Sequence, residues 1–229
     1  MIEQIKQQLI KMRLEGMLLA LEEQAQHSSH DLCFEERLAL LVDKEYWYRE
    51  NKKLANRLKQ AKLRSSYTFE QIDYRFPRNL NKSQIKTLLN DNWIKQRRNI
   101  LITGPTGTGK TFLSCAIAHK ACLNGFNVRH YRLLPLLHDI VIAYRENRFH
   151  RFMQMMAKID ILVIDDFGMM NMDAEQKRLL LEILDGRYES RSTIITSQLS
   201  IHDWYHHIND PLIADAFLDR LLHLSLIHI

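Results

Sequence analysis

Residues 99–111 read NILITGPTGTGKT, and the reading of this stretch decides the fold. Asn99–Thr103 is short and almost wholly apolar, the pattern of a strand buried on both faces of a parallel sheet. Residues 104–111, GPTGTGKT, match G-x-x-x-x-G-K-[ST] in full, and three of the chain's seven glycines, Gly104, Gly107 and Gly109, lie inside the match. Glycines let the backbone turn tightly and aim successive N–H groups at one anion, while the N-terminus of the following helix adds its dipole. The expected phosphate-contacting set is therefore Gly104, Pro105, Thr106, Gly107, Thr108, Gly109, Lys110 and Thr111, with Phe112 beside them. Lys110 is placed to bridge the β- and γ-phosphates of a nucleotide such as ATP, and the Thr111 hydroxyl to hold Mg²⁺.

Outward from the loop, apolar strand-like runs recur at about Asn127–Tyr131, Ile159–Ile164 and Thr193–Thr196. Helical segments separate them at Thr111–Leu123, Leu133–Tyr144 and Ala174–Tyr188. Strands alternating with helices predict an α/β fold with a parallel sheet and right-handed crossovers. The second half of a nucleotide site is an acid at the end of another buried strand. Ile161-Leu162-Val163-Ile164-Asp165-Asp166 supplies it, 55 residues after Lys110. Asp165 is expected to hold Mg²⁺ through water, and Asp166 to polarise the attacking water as base or orienter. Two adjacent carboxylates at a strand end are costly unless a cation is near.

The first 98 residues differ in kind. They carry 19 Lys/Arg against 13 Asp/Glu, whereas residues 99–229 carry 13 against 14, so the net charge of +5 is localised. Residues 44–64 alone hold eight bases and only Glu45 and Glu50 as acids. Leu54, Leu58 and Ala61 form one stripe at helical spacing, leaving the bases on the rest of the circumference. Arg49, Lys52, Lys53, Arg57, Lys59, Lys62 and Arg64 are the expected DNA-binding residues, a backbone-contacting set without a base-reading code. A solvated helix face explains the same charges. Around this segment, residues 2–26 read as one helix, His27–Asp31 as a break, Phe34 to about Tyr48 as a helix, and Ser65-Ser66 as the end of the basic helix. Residues 67–80 read as an extended connector, and 81–97 as a helix entered through Asn81 or Ser83. The expected organisation is a small all-α basic domain over 1–66, a connector and helix over 67–98, and an α/β domain over 99–229.

Composition limits the alternatives. Seven glycines and four prolines in 229 residues are too few for an all-β sandwich. No apolar run is long enough for a membrane span, and the charged N-terminus lacks a signal-peptide core, so a cytoplasmic protein with no membrane partner is expected. Cys33, Cys115 and Cys122 show no metal-type spacing and read as reduced thiols. Arg145, Arg148 and Arg151 lie in an inter-helix segment that reads equally as a second DNA-facing loop or a solvated one.

GPTGTGKT, ILVIDDFG (161–168) and RSTIITSQL (191–199) resemble AAA+ ATPases of the DnaC/IstB branch. MRLEGM (12–17), FEERLALLVDKE (34–45), RENKKLANRLKQAKLR (49–64), IDYRFPRNL (72–80) and DPLIADAFLDRL (210–221) narrow the resemblance to the IstB-type ATP-binding protein of insertion sequences, over about residues 1–223. The resemblance implies an AAA+ P-loop NTPase three-layer sandwich preceded by the helical domain. It also implies an ATP-dependent transposition helper that forms a homo-oligomer on double-stranded DNA and presents it to a cognate transposase. By position, Gln198 falls at the place of the sensor for the γ-phosphate, where many relatives carry Asn, and Arg220 at that of an arginine finger acting on a neighbouring subunit. An Arg capping a helix C-terminus is the plainer reading of Arg220. After His223 the family continues with a polar strand and tail, whereas this chain ends LSLIHI, an ending that supplies a last strand or marks truncation. A helicase loader, a small-molecule kinase and a DNA-binding protein that keeps ATP without hydrolysing it are the competing classes. A kinase would need an Arg-rich lid that no segment after Asp166 supplies.

Overall fold

The computed structural model describes residues 2–26, 32–72, 82–222 and 225–228. The expected break at His27–Asp31, most of the 67–80 connector and the helix entry at Asn81 lie outside the described residues. Two compact units divide between Asn56 and Arg57, inside the basic helix, whereas the expected helical domain runs to residue 66.

The N-terminal unit is helical. Its expected single helix over 2–26 is two, α1 (Ile2–Lys11) and α2 (Glu15–Gln26), broken where Arg13 adopts a left-handed φ of 58°. The apolar spacing signals the break, because Met12 to Met17 is five residues, a step that leaves the stripe. The next two expected helices are one continuous α3 (Phe34–Ala61). At Gly16 a Cβ would stand 2.6 Å from the Glu45 Cα, so only glycine lets α2 approach α3 this closely. The buried Glu45 carboxylate accepts from the Met17 N–H at 3.1 Å and from Arg49 Nε at 2.6 Å, which closes the crossing.

The second unit begins with the last turn of α3, which ends at Ala61 and not at Ser65-Ser66. Lys62 turns the chain with a φ of 49°. A single 3₁₀ turn at Phe69–Gln71 occupies part of the connector. The expected helix over 81–97 is two short ones, α4 (Lys82–Leu88) and α5 (Asn92–Lys95). Then come β1 (Asn99–Thr103), α6 (Lys110–Leu123), β2 (Val128–Arg132), α7 (Leu133–Arg145), α8 (Phe149–Ala157), β3 (Ile161–Phe167), α9 (Ala174–Arg187), β4 (Ser192–Ser197), α10 (Ile201–Ile208), α11 (Pro211–Leu222) and β5 (Ser225–His228). The Arg145, Arg148 and Arg151 segment is a loop only in part: Arg145 ends α7 and Arg151 lies in α8, whose Phe149, Phe152, Met153 and Met156 pack on the core. Arg148 stays in the short turn with Asn147, whose φ is 54°. Arg145 pairs with Glu175 at 3.1 Å, and Arg148 pairs with Glu146.

The five strands are all parallel in the order β2-β3-β4-β1-β5. Alternation along each strand feeds two cores. Leu101, Leu162, Ile164 and Ile195 face α7, α9, α10 and α11, and Ile100, Ile102, Ile161, Val163 and Ile194 face α6 with Ala61, Trp93 and Ile94. The result is the expected three-layer α/β sandwich, in which runs such as ILVI are apolar throughout because both faces are covered. Strand β4 lies between β1 and β3, so the C-terminal ends of all three form one edge where a ligand site is favoured. Among the described residues no helix is long and apolar enough to cross a membrane.

Candidate active site

Strand β1 runs directly into the glycine loop. Gly104 N donates to Ser197 O at 3.1 Å, which pins the loop's start to the end of β4. Gly104, Gly107 and Gly109 have φ values of 151°, 85° and 90°. At Gly107 a Cβ would meet no neighbour, so the backbone conformation and not space requires glycine there. Thr108 Oγ1 donates to Pro105 O at 2.9 Å, closing the turn. Gly109 caps α6 without a side-chain hydrogen bond, so the first-turn N–H groups of that helix lack helical partners directly after the loop.

Lys110 folds back over the loop, its Nζ donating to Gly104 O and Pro105 O at 2.7 Å each. Burial draws its pKa below the usual lysine value, against the opposing pull of Asp165 and Asp166. Phe112, on the same first turn, packs against Tyr67 with ring centroids 4.6 Å apart.

Thr111 Oγ1 lies 3.0 Å from both carboxylate oxygens of Asp165, which brings the loop and the acid strand together. Asp165 is fully buried, between Thr111, the Thr196 hydroxyl and His130. Burial opposes its charge, but His130 and the hydroxyls of Thr196 and Thr111 together hold its carboxyl below the usual range. His130 Nε2 stands 3.7 Å from Asp165, an ion-pair distance and not a hydrogen bond. Burial disfavours its charge too, yet the neighbouring carboxylate and Cys115 raise His130 to about 9.

Asp166 is partly exposed with a left-handed φ of 63°, and its carboxylate accepts from Arg132 Nε at 2.9 Å. Gln198 reaches the loop: Thr106 Oγ1 donates to its Oε1 at 2.9 Å. Behind it, the buried Ser197 hydroxyl donates to Phe167 O at 2.8 Å and accepts from Trp204 Nε1 at 3.0 Å, tying β3, β4 and α10 together.

Lys110, Thr111, Asp165, Asp166 and Gln198 are thus brought together, and Arg220 is not. Its carbonyl accepts from Asn99 Nδ2 at 3.0 Å, which places it at the start of β1, the opposite end from the phosphate loop. Five strand residues separate the two, about 16 Å at typical strand rise. There its guanidinium pairs with Asp185 at 2.6 Å and Asp219 at 3.2 Å.

The expected DNA-binding residues also divide. In the N-terminal unit Arg49 is held by buried Glu45, Lys52 pairs with Glu15 at 3.2 Å and Lys53 with Glu50 at 2.8 Å. In the second unit Arg57 Nε donates to Cys122 O at 3.1 Å, while Lys59, Lys62 and Arg64 stand exposed without an ion pair among the described residues.

The sequence reading missed His130, Arg132 and Thr196. For His130 a signal existed: a titratable residue in a strand otherwise destined for burial needs a partner. Arg132 stands exposed at the end of its strand, opposite Asp165 on the adjoining strand.

A nucleotide-type loop, a buried carboxylate on its threonine, and an AAA+ strand order are now in view. The family model for IstB-like ATP binding proteins matches residues 7–228. This chain belongs to that family. It is 45% identical over 194 residues to an ATP-binding protein of insertion sequence IS1162 from Pseudomonas fluorescens, with 84% of each chain covered. It is 39% identical over 213 residues to the insertion sequence ATP-binding protein y4pL of Sinorhizobium fredii, covering 93% of this chain and 87% of the other. Among solved structures, DnaI matches with a TM-score of 0.59 at 20% identity, over 73% of this chain and 92% of that one. AMPPCP-bound DnaA from Aquifex aeolicus matches with a TM-score of 0.60 at 22% identity, over 73% of this chain and 51% of that one. These likenesses establish the AAA+ fold of this IstB-like chain.

Proposed function

We propose that this IstB-like protein hydrolyses ATP to ADP and phosphate and uses that cycle to control its own assembly on duplex DNA, where it presents the target to a partner transposase. The reading rests on one observation: the Thr111 hydroxyl of the phosphate loop faces both oxygens of Asp165 at 3.0 Å, across 54 residues of chain. Relatives that are insertion sequence ATP-binding proteins support the transposition context.

The donor set at this point is carboxylate and hydroxyl oxygen only, which fits Mg²⁺. Among the described residues there is no group of three or more His, Cys, Asp or Glu side chains that could hold a metal ion, and Thr111 with Asp165 would hold Mg²⁺ alongside oxygens of water and the nucleotide. When bound, Mg²⁺ supplies neutralising charge on the β- and γ-phosphate oxygens. Lys110 leaves its two loop carbonyls for the phosphates, and the loop N–H groups orient them. Asp166, once released from Arg132, accepts a proton from the attacking water as its oxygen bonds to the γ-phosphorus and the bond from that phosphorus to the β–γ bridging oxygen breaks, releasing ADP. Gln198, already on the loop at Thr106, contacts the γ-phosphate side. Arg220 is too far from its own site to act there, so it serves a neighbouring copy, spreading positive charge over the transition state. Supplying it in trans couples hydrolysis to assembly.

DNA contact falls to the exposed bases at the end of α3 and just beyond it. Replacing Lys59, Lys62 and Arg64 together with Gln is expected to weaken binding to random-sequence duplex. The slope of log affinity against log salt should flatten by about 0.9 for each phosphate that is no longer neutralised. An unaltered slope, measured by fluorescence anisotropy, would show that this segment does not touch the backbone.

A further inference from the structure

We propose that Thr196 is a positioning residue for both aspartates, its single hydroxyl holding a bulge that aims Asp165 and Asp166 at the nucleotide. This inference rests on the site proposed above.

The β3–β4 register is regular from Ile161 opposite Ser192 to Ile164 opposite Ile195, and resumes with Phe167 opposite Ser197. Asp165 and Asp166 therefore stand against the one residue Thr196, a bulge of a kind uncommon in parallel pairs. Its consequence follows from alternation. Ile161 and Val163 face the α6 core and Leu162 and Ile164 the other core. Asp165 is next on the α6 face, where it meets Thr111. Without the extra residue Asp166 would point into the opposite core, among Ile164, Trp204 and Phe217. With it, Phe167 takes that core place, its ring 4.5 Å from Trp204, and Asp166 turns outward beside Arg132.

The bulge leaves the Asp166 N–H outside the strand ladder and needs a left-handed backbone at a non-glycine residue. Thr196 Oγ1 answers this by accepting from Asp166 N at 3.1 Å. The same oxygen's proton goes to Asp165 Oδ1. Thr196 is 1% exposed, so no water can substitute easily. One hydroxyl thus fixes the rotation of the buried carboxylate and the backbone of the exposed one. A valine would fill the space, suit the strand and make neither bond.

The test compares wild type, Thr196→Val and Thr196→Ser by calorimetric titration with AMPPCP, in Mg²⁺ and in EDTA, alongside ATP turnover. Thr196→Val is expected to bind AMPPCP in EDTA within about twofold of wild type, because the phosphate loop is untouched. The gain in affinity on adding Mg²⁺ should fall by about tenfold or more, as when a metal ligand loses its outer hydrogen-bond partner. Turnover should fall with it, and Thr196→Ser should restore both. An unchanged Mg²⁺ gain in Thr196→Val overturns the inference. So does a loss in EDTA that Ser fails to restore, which would make Thr196 a residue of the fold alone. A wild type without any Mg²⁺ gain overturns the assignment of Asp165 and this inference with it. A wild type that shows the gain but no turnover overturns only the hydrolytic reading, and the affinities still decide Thr196.

Discussion

Lys110→Ala lowers the affinity for ATP by about 100-fold or more and abolishes measurable turnover, while leaving the unfolding transition within about 1 kcal/mol of wild type. The size follows from removing one member of a desolvated, hydrogen-bonded charge pair, which costs roughly 2–5 kcal/mol because the other member stays unpaired. The small effect on folding follows from the side chain's place. Its Nζ bonds only to Gly104 O and Pro105 O, two carbonyls of an exposed loop that water can serve in its absence. Calorimetric titration with ATP checks the first part and urea unfolding the second. Unchanged affinity would remove the nucleotide from this loop altogether. A collapse of stability would make Lys110 a brace of the loop.

Arg187→Met destabilises the second unit by about 3–5 kcal/mol, without any residue of the proposed site being touched. Arg187 is 2% exposed and uses all its donors. Nη1 serves Met156 O at 2.8 Å and Ile159 O at 3.0 Å, Nη2 serves Ser192 O at 2.6 Å and Asp160 O at 3.4 Å, and Nε serves Thr193 Oγ1 at 3.3 Å. These acceptors belong to the exit of α8 and to the entries of β3 and β4, where the β3–β4 ladder begins with Ile161 opposite Ser192. Methionine keeps the length and apolar stem, so the loss reports the stranded carbonyls and not a cavity. The urea midpoint measures it, and a shift worth less than about 1 kcal/mol would mean water reaches those carbonyls.

What could be read in advance and what could not divides by distance along the chain. The phosphate loop is eight contiguous residues whose conformation, glycine φ values and helix start are set locally, so its reading needed no partner. The acid strand was legible for the same reason, as an apolar run ending in two aspartates. Its bulge was not, since it depends on a hydroxyl 30 residues away on a neighbouring strand. The aim of Asp166 is therefore a tertiary property. Helix boundaries failed in a different way. The break at Arg13 and the turn at Asn147 had sequence signals, a five-residue apolar step and a left-handed asparagine, that a single periodic stripe obscures.

Charge was the least legible feature. Seven basic residues on one stretch look equivalent in sequence, yet Arg49 is consumed by buried Glu45 and Arg57 by a backbone carbonyl, while Lys59, Lys62 and Arg64 stand free of ion pairs among the described residues. Exposed pairs such as Lys52 with Glu15 cost little to exchange for a phosphate, so they do not remove that lysine from a DNA surface. Arg220 shows the opposite case. Its place in DAFLDRL implied, through the family resemblance, a role on a neighbouring copy, and its position at the far end of β1 from the phosphate loop supports that proposal.

A nucleotide site completed by a second protomer on DNA makes a kinetic demand that one experiment can meet or refuse. ATP turnover per protomer is measured across a protein titration, with and without duplex of random sequence. Completion in trans predicts turnover that rises cooperatively with protein concentration, is stimulated by duplex, and is lost in Arg220→Ala with ATP affinity unchanged. Turnover per protomer that is constant across the titration and indifferent to both DNA and Arg220 would contradict it.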